Sequence, residues 1–193
     1  ELRLPNRFVL CFSTKLSKLD GKSSFVLYGE NDKPWLAFSF WSKGTKVALW
    51  AEVQTIWTEF HYEDEDNEPW THVWLKVCAD VDTVTANMSV SFNGRQTITK
   101  NIEKLKTNRP KDLTGKLVFG LDNSSWAQGL SPQFIGSVSN LNIFSVNENT
   151  SVTYLRTNTF IAGDILSWID TSFQFKGTMV RFEEVELKYA NQT

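Results

Sequence analysis

Few side chains in this sequence are equipped for catalysis. Histidine occurs only at His61 and His72, in strand-like and loop surroundings. Neither has a nucleophile elbow, zinc-ligand spacing or a phosphate-cradling glycine loop around it. Glu184 and Glu186 form an i, i+2 pair that a strand presents on one side, as in glycosidases that work with two carboxylates. No aromatic sugar platform accompanies them, so an exposed strand face accounts for the pair. The run Glu63-Asp64-Glu65-Asp66-Asn67-Glu68 offers oxygens to a cation. It lacks the glycine and spacing of an EF-hand loop, and reads as a solvated loop closed by Pro69. These residues do not make an enzyme.

A different chemistry is available further along. Leu117-Val118-Phe119-Gly120 and the run from Ile135 to Phe144 read as strands, and the polar stretch 121–133 hangs between them. A loop held at both ends by a sheet suits binding, because its ends are fixed while its tip is free to vary. Asp122, Asn123, Gln128 and Gln133 supply its oxygens.

Cys11 and Cys78 do not by themselves declare a compartment. Four Asn-X-Ser/Thr sequons, at Asn87, Asn123, Asn149 and Asn191, favour a secreted or cell-surface glycoprotein. In that setting a Cys11–Cys78 disulfide persists; the alternative is two inert buried thiols. The chain opens on Glu1 rather than Met, which suggests an excerpt of a longer protein.

The elements that must position these groups are strands. The 193 residues include 8 Trp and 14 Phe, enough apolar bulk for a sizeable core in one domain spanning 1–193. A net charge of -2 gives no field to gather nucleic acid or an anionic membrane. No run of 18 apolar residues exists to span a bilayer. Phe8–Phe12, Phe25–Tyr28, Trp35–Trp41, Val47–Ala51 and Ile56–Tyr62 are strand-length runs separated by turn signals, the spacing of an all-β sandwich. Val73, Leu75, Val77 and Ala79 alternate with Trp74, Lys76, Cys78 and Asp80; Met88, Val90 and Phe92 alternate with Asn87, Ser89 and Ser91. Asn93-Gly94 then predicts a tight type I′ turn into Gln96–Thr99. Asn87 falls on the polar phase of its strand, where a glycan is accommodated. Residues 101–115 read as a connection or short helix, Val152–Asn158 as a helical turn, and Ser172–Phe175 and Val180–Leu187 as the last strands.

Taken in order, these segments resemble the pentraxin-like domain, a jelly-roll sandwich related to laminin-G and legume-lectin folds. Phe8-Val9-Leu10-Cys11 is similar to the family's aromatic-X-X-Cys strand. Cys78 stands before Asn93-Gly94 as the family's second cysteine stands before its Asp/Asn-Gly turn. The run from Phe134 to Phe144 resembles its aromatic-X-Gly strand, with Phe144 in place of Trp. Gly163-Asp164-Ile165-Leu166-Ser167-Trp168 resembles the closing Gly-Asn-hydrophobic-X-X-Trp motif. The signature His-X-Cys-X-Ser/Thr-Trp-X-Ser/Thr falls on Lys76–Thr83 and keeps only Cys78 and Thr83. Such divergence resembles pentraxin modules in larger receptors, adhesion G-protein-coupled receptors among them. The family also carries a strand before its first cysteine, of which only Glu1–Leu4 remains; its loss implies an open sheet edge unless another segment fills it.

The resemblance implies an all-β, two-sheet antiparallel jelly roll with one short helix. It also raises calcium, of which soluble pentraxins bind two ions through carboxylates and amides from two loops. Register places Asp122 on a ligand glutamate and Asn123 on a carbonyl ligand, but the next acidic ligand becomes Ser124. The second loop's Asp-Asn pair falls on Pro34-Trp35, with Asn31 and Asp32 just upstream. Calcium takes six to eight oxygens, several anionic, and one aligned carboxylate is too few for two ions. The expectation is therefore no cofactor, with a single ion on Asp122, Asn123 and Asp32 as the alternative. Phe40 lies near the family's apolar ligand pocket but reads as core. The function implied is an extracellular recognition or adhesion module that binds a protein partner or itself. Its rival is a calcium-dependent lectin for phosphate-bearing or carbohydrate ligands.

Overall fold

The computed structural model describes residues 2–16, 21–30, 33–43, 46–53, 56–62, 74–94, 96–107, 114–119, 136–147, 149–157 and 161–167. Among them eleven strands build two antiparallel sheets. One sheet runs β1 (Leu2–Arg3), β10 (Thr114–Phe119), β3 (Gly21–Glu30), β4 (Lys33–Lys43), β5 (Lys46–Val53) and β6 (Ile56–Tyr62). The other runs β11 (Gly136–Ser145), β2 (Arg7–Leu16), β7 (Trp74–Asp82), β8 (Asn87–Phe92) and β9 (Gln96–Asn101). A 3-10 turn at Glu103–Leu105 follows β9, and one helix, α1 (Val152–Thr157), follows β11. The expected all-β jelly roll with a short helix is what forms.

Period-2 alternation explains which side chains meet. Leu75, Val77, Ala79 and Val81 of β7 enter the inter-sheet core with Met88, Val90 and Phe92 of β8. From the opposite sheet come Leu36, Phe38 and Phe40 of β4, Leu49, Ala51 and Val53 of β5, and Phe60 of β6. Phe12 of β2 meets Phe40 of β4 edge-to-face, with ring centroids 6.2 Å apart and planes at 82°, so the two sheets are locked by aromatic contact. Phe40 is thus core. Between the edge strands of the two sheets, Lys100 of β9 lies over the Phe60 ring of β6, 5.7 Å from its centroid.

The β8–β9 connection has the predicted positive φ at Asn93 (49°) and Gly94 (69°), but Phe92 pairs with Gln96, so it spans residues 93–95 rather than the two of a simple type I′ turn. Strands extend beyond their apolar runs because the hydrogen-bond ladder continues through polar residues. β2 pairs with β7 as far as Ser13, Thr14 and Lys15. The edge expected to be open is partly covered, since Leu2 and Arg3 pair with Gly115 and Thr114. The final strands expected at 172–175 and 180–187, like Glu184 and Glu186, lie outside the described residues, as do His72 and the acidic run 63–68.

Candidate functional site

The outer face of the five-stranded sheet carries the second phase of β7, and α1 lies across it. Cys11 and Cys78 sit directly opposite each other in the β2–β7 ladder, with Cα atoms 4.1 Å apart, and are joined as a disulfide. The open choice between bond and free thiols is thereby decided. Around the disulfide, Val9, Phe144 and Leu155 form a small apolar cluster between sheet and helix.

Polar side chains surround that cluster. Asp80 is buried on the same face and accepts two bonds from Arg7, from Nε at 3.2 Å and Nη2 at 2.9 Å. Arg156 of α1 brings its Nη2 to 3.7 Å from the same carboxylate. One acid therefore holds two guanidinium groups, one from the start of β2 and one from the helix. Arg156 Nε is buried without a hydrogen-bond partner among the described residues. The bond to Asp80 raises the Arg7 pKa above its ordinary value. Arg156 is pulled below its own by burial, with Asp80 opposing and Arg7 adding to the effect.

Lys76 occupies the position where the family signature has histidine. Its Nζ donates to the Leu155 carbonyl at 3.1 Å, supplying a donor to a carbonyl in the last turn of α1. Burial lowers its ammonium from 10.5 to about 8. Between those values the unfolded chain still binds the proton that the folded chain has released, so this residue makes stability rise with pH across the window. The urea midpoint of the native protein minus that of Lys76→Met is expected to climb between about pH 8 and pH 10.5. A difference that stays flat there contradicts the assignment.

The retained Thr83 has a structural task. It is buried, and both its N–H and its hydroxyl donate to the Asn6 carbonyl at 2.9 Å, closing the end of β2 onto β7. The closing motif is explained in the same way. A Cβ on Gly163 would fall against the backbone oxygens of Leu166 and Ile143, so only glycine fits. Gly163 N donates to Asn142 Oδ1 at 3.1 Å, and the Asp164 carboxylate accepts from the Ser145 N–H and hydroxyl. Ile143 and Leu166 then bridge as antiparallel neighbours along β11.

Of the asparagines in sequons, Asn87 in β8 and Asn149 ahead of α1 are exposed. The calcium candidates Asp122, Asn123 and Asp32, and the sequon residue Asn191, lie outside the described residues. Among the described residues no three of His, Cys, Asp and Glu cluster as metal ligands. His61 is a half-exposed strand residue that pairs with Glu59 at 2.9 Å. No helix of the described residues is long and apolar enough to cross a membrane. Sequence reasoning missed the Arg7–Asp80–Arg156 group. Asp80 on the polar phase of β7 was the only local sign of it.

Two antiparallel sheets, one of them stapled by a disulfide between neighbouring strands and carrying a helix on its outer face, define a jelly-roll sandwich of the pentraxin kind. The chain belongs to the Pentaxin family, whose sequence model matches residues 1–181. No curated protein matches by sequence. Among solved structures, the fold is similar to a native heptameric SAP-like pentraxin from Limulus polyphemus, at TM-score 0.67 and 17% identity, covering 90% of this chain and 81% of that one. It is also similar to the full extracellular region of zebrafish Gpr126/Adgrg6, at TM-score 0.63 and 14% identity, covering 91% of this chain and 23% of that one. A putative carbohydrate binding protein from Bacteroides ovatus follows at TM-score 0.55 and 13% identity, covering 91% and 50%.

Proposed function

We propose that the chain is a non-enzymatic recognition and adhesion module, a single domain over 1–193, in a secreted protein or a receptor ectodomain. It binds an extracellular protein or a second copy of itself, needs no cofactor, contacts no nucleic acid, and has no transmembrane segment among its described residues. The observation that carries this reading is the Pentaxin match over 1–181 in a chain whose aligned calcium loop offers one carboxylate, Asp122, and has Ser124 in place of the next acid. Calcium held by so few anionic oxygens would be weak. Similarity to a receptor's extracellular region supports placement outside the cell, and similarity to a heptameric pentraxin supports self-association. A charge near neutral supports contact through shape and aromatic anchors rather than through long-range attraction.

The test is adhesion of beads coated with the domain, to one another and to cells, in calcium and in chelator. Adhesion that persists in chelator is the expected outcome. Its collapse on chelation would favour a second reading, a calcium-dependent pentraxin or lectin that takes phosphate-bearing or carbohydrate ligands. That reading draws on the fold similarity to a SAP-like pentraxin and to a putative carbohydrate binding protein.

A further inference from the structure

We infer that Asn87 and Asn149 carry N-linked oligosaccharides on one rim of the helix-bearing face, so that this side is shielded and docking falls to the rest of the surface. Both head sequons, and both are exposed. At Asn87 one amide atom is engaged by a neighbour. Asn101 uses its Nδ2 as donor both to the Thr85 carbonyl at 3.2 Å and to Asn87 Oδ1 at 3.1 Å. The Asn87 oxygen is therefore engaged by its cross-strand neighbour, and its Nδ2, the attachment atom, makes no hydrogen bond among the described residues. At Asn149 the loop is shaped by a neighbour instead. The Asn147 carboxamide oxygen accepts from the Asn149 N–H at 3.0 Å and from the Thr150 hydroxyl at 3.1 Å, an Asx turn in which the Asn149 side chain makes no hydrogen bond among the described residues.

The two positions share an end of the sandwich. Asn87 lies in the row Arg7, Asp82, Asn87, Asn101 across β2, β7, β8 and β9. β11 leaves its sheet in the same place, where the Val146 N–H donates to the Arg7 carbonyl at 3.2 Å, three residues before Asn149. From there the chain enters α1, capped when the Ser151 hydroxyl accepts from the Tyr154 N–H at 3.3 Å. The helix ends beside the β8–β9 turn, where a Cβ on Gly94 would meet the Arg156 carbonyl at 3.2 Å. Glycans on Asn87 and Asn149 would thus stand around the start of α1.

The modification is a group transfer. Each Nδ2 forms a bond to the anomeric carbon of an oligosaccharide donated by a lipid diphosphate carrier. The carbon–oxygen bond to the carrier breaks, the lipid diphosphate leaves with the electron pair, and the amide proton passes to a base of the transferring enzyme. Transfer to the unfolded chain finds the Ser89 and Ser151 hydroxyls free. In the folded chain Ser89 bonds Thr99 at 2.8 Å and Ser151 caps the helix. The shielding consequence rests on the recognition reading; the attachment does not.

The experiment uses the full 193-residue chain secreted from animal cells. Enzymatic release of N-glycans in heavy-oxygen water converts each occupied asparagine to labelled aspartate, read by peptide mass. Label at both 87 and 149 is expected, and unlabelled asparagine at either overturns the assignment for that residue. Asn87→Gln and Asn149→Gln, both at exposed positions, should each remove one glycan step on a gel while leaving the melting temperature unchanged. The bead adhesion assay is then run before and after glycan release. Equal adhesion supports docking away from this rim, and adhesion gained or lost on release overturns the shielding. Absence of adhesion in both forms defeats the recognition reading while leaving the peptide map intact.

Discussion

Replacing both Cys11 and Cys78 with alanine is expected to lower stability by about 4 kcal/mol, from the entropy of a chain no longer closed on itself. The bond spans a separation of 67 residues and joins two strands already paired along the whole of β7. The native ladder therefore survives its loss, and the effect falls mainly on the unfolded ensemble. A domain holds roughly 5–15 kcal/mol in total, so this is a large share of it. Urea unfolding should show a lower midpoint together with a steeper dependence on urea, because the opened unfolded chain exposes more surface. A midpoint within error of the native protein would contradict the entropic account. Exposure of Leu155 and Phe144 would appear as separate loosening of the helix, since both pack on the same cluster as the disulfide.

The second large effect is expected at Asp80. Its carboxylate is 8% exposed, against 45% for the Arg7 side chain and 16% for Arg156. Asp80→Ala leaves Arg156 charged, largely buried and without a counter-ion, and its Nε already lacks a partner among the described residues. Breaking a buried pair from one side costs about 3–5 kcal/mol. The partial exposure of Arg7 argues for the low end, about 3 kcal/mol, because water replaces part of what it loses. The cause is isolated by the double variant Asp80→Ala with Arg156→Met. Removing the stranded charge should restore part of the loss, giving a coupling that exceeds the error of additivity. Equal destabilisation of the single and double variants would show that packing, not charge, holds α1 down.

The strand pattern was legible because period-2 alternation is a local property. Leu75, Val77 and Ala79 announced the buried face of β7. Asn93-Gly94 announced its own turn through the positive φ that only a few residues tolerate. The β6 bounds, Ile56–Tyr62, follow from the same signal. Strand lengths were less legible. A ladder runs on through Ser13, Thr14 and Lys15, where hydrophobicity has already stopped.

Side-chain groups assembled from distant positions were not legible. Arg7 and Asp80 are 73 residues apart in sequence. They meet only because Val9 pairs with Asp80 in the β2–β7 register. Nothing in the local sequence sets that register. Gly163 was recognisable through its motif, but its reason, close backbone approach to Ile143, exists only in three dimensions. Of the candidate ligands and modification sites, Asn87 was placed by alternation, while the turn around Asn149 emerged only in the structure. Asp122, Asn123 and Asp32 are known from sequence alone.

On the proposed reading, this member of the family recognises its partner through the sandwich itself and not through bound ions. The most direct measurement is the melting temperature of the secreted domain in millimolar calcium and in chelator, since a ligand that binds the folded state alone raises it by mass action. The same melting temperature in both conditions is the predicted result. A rise in calcium that disappears in Asp122→Ala would contradict it and place an ion in the loop.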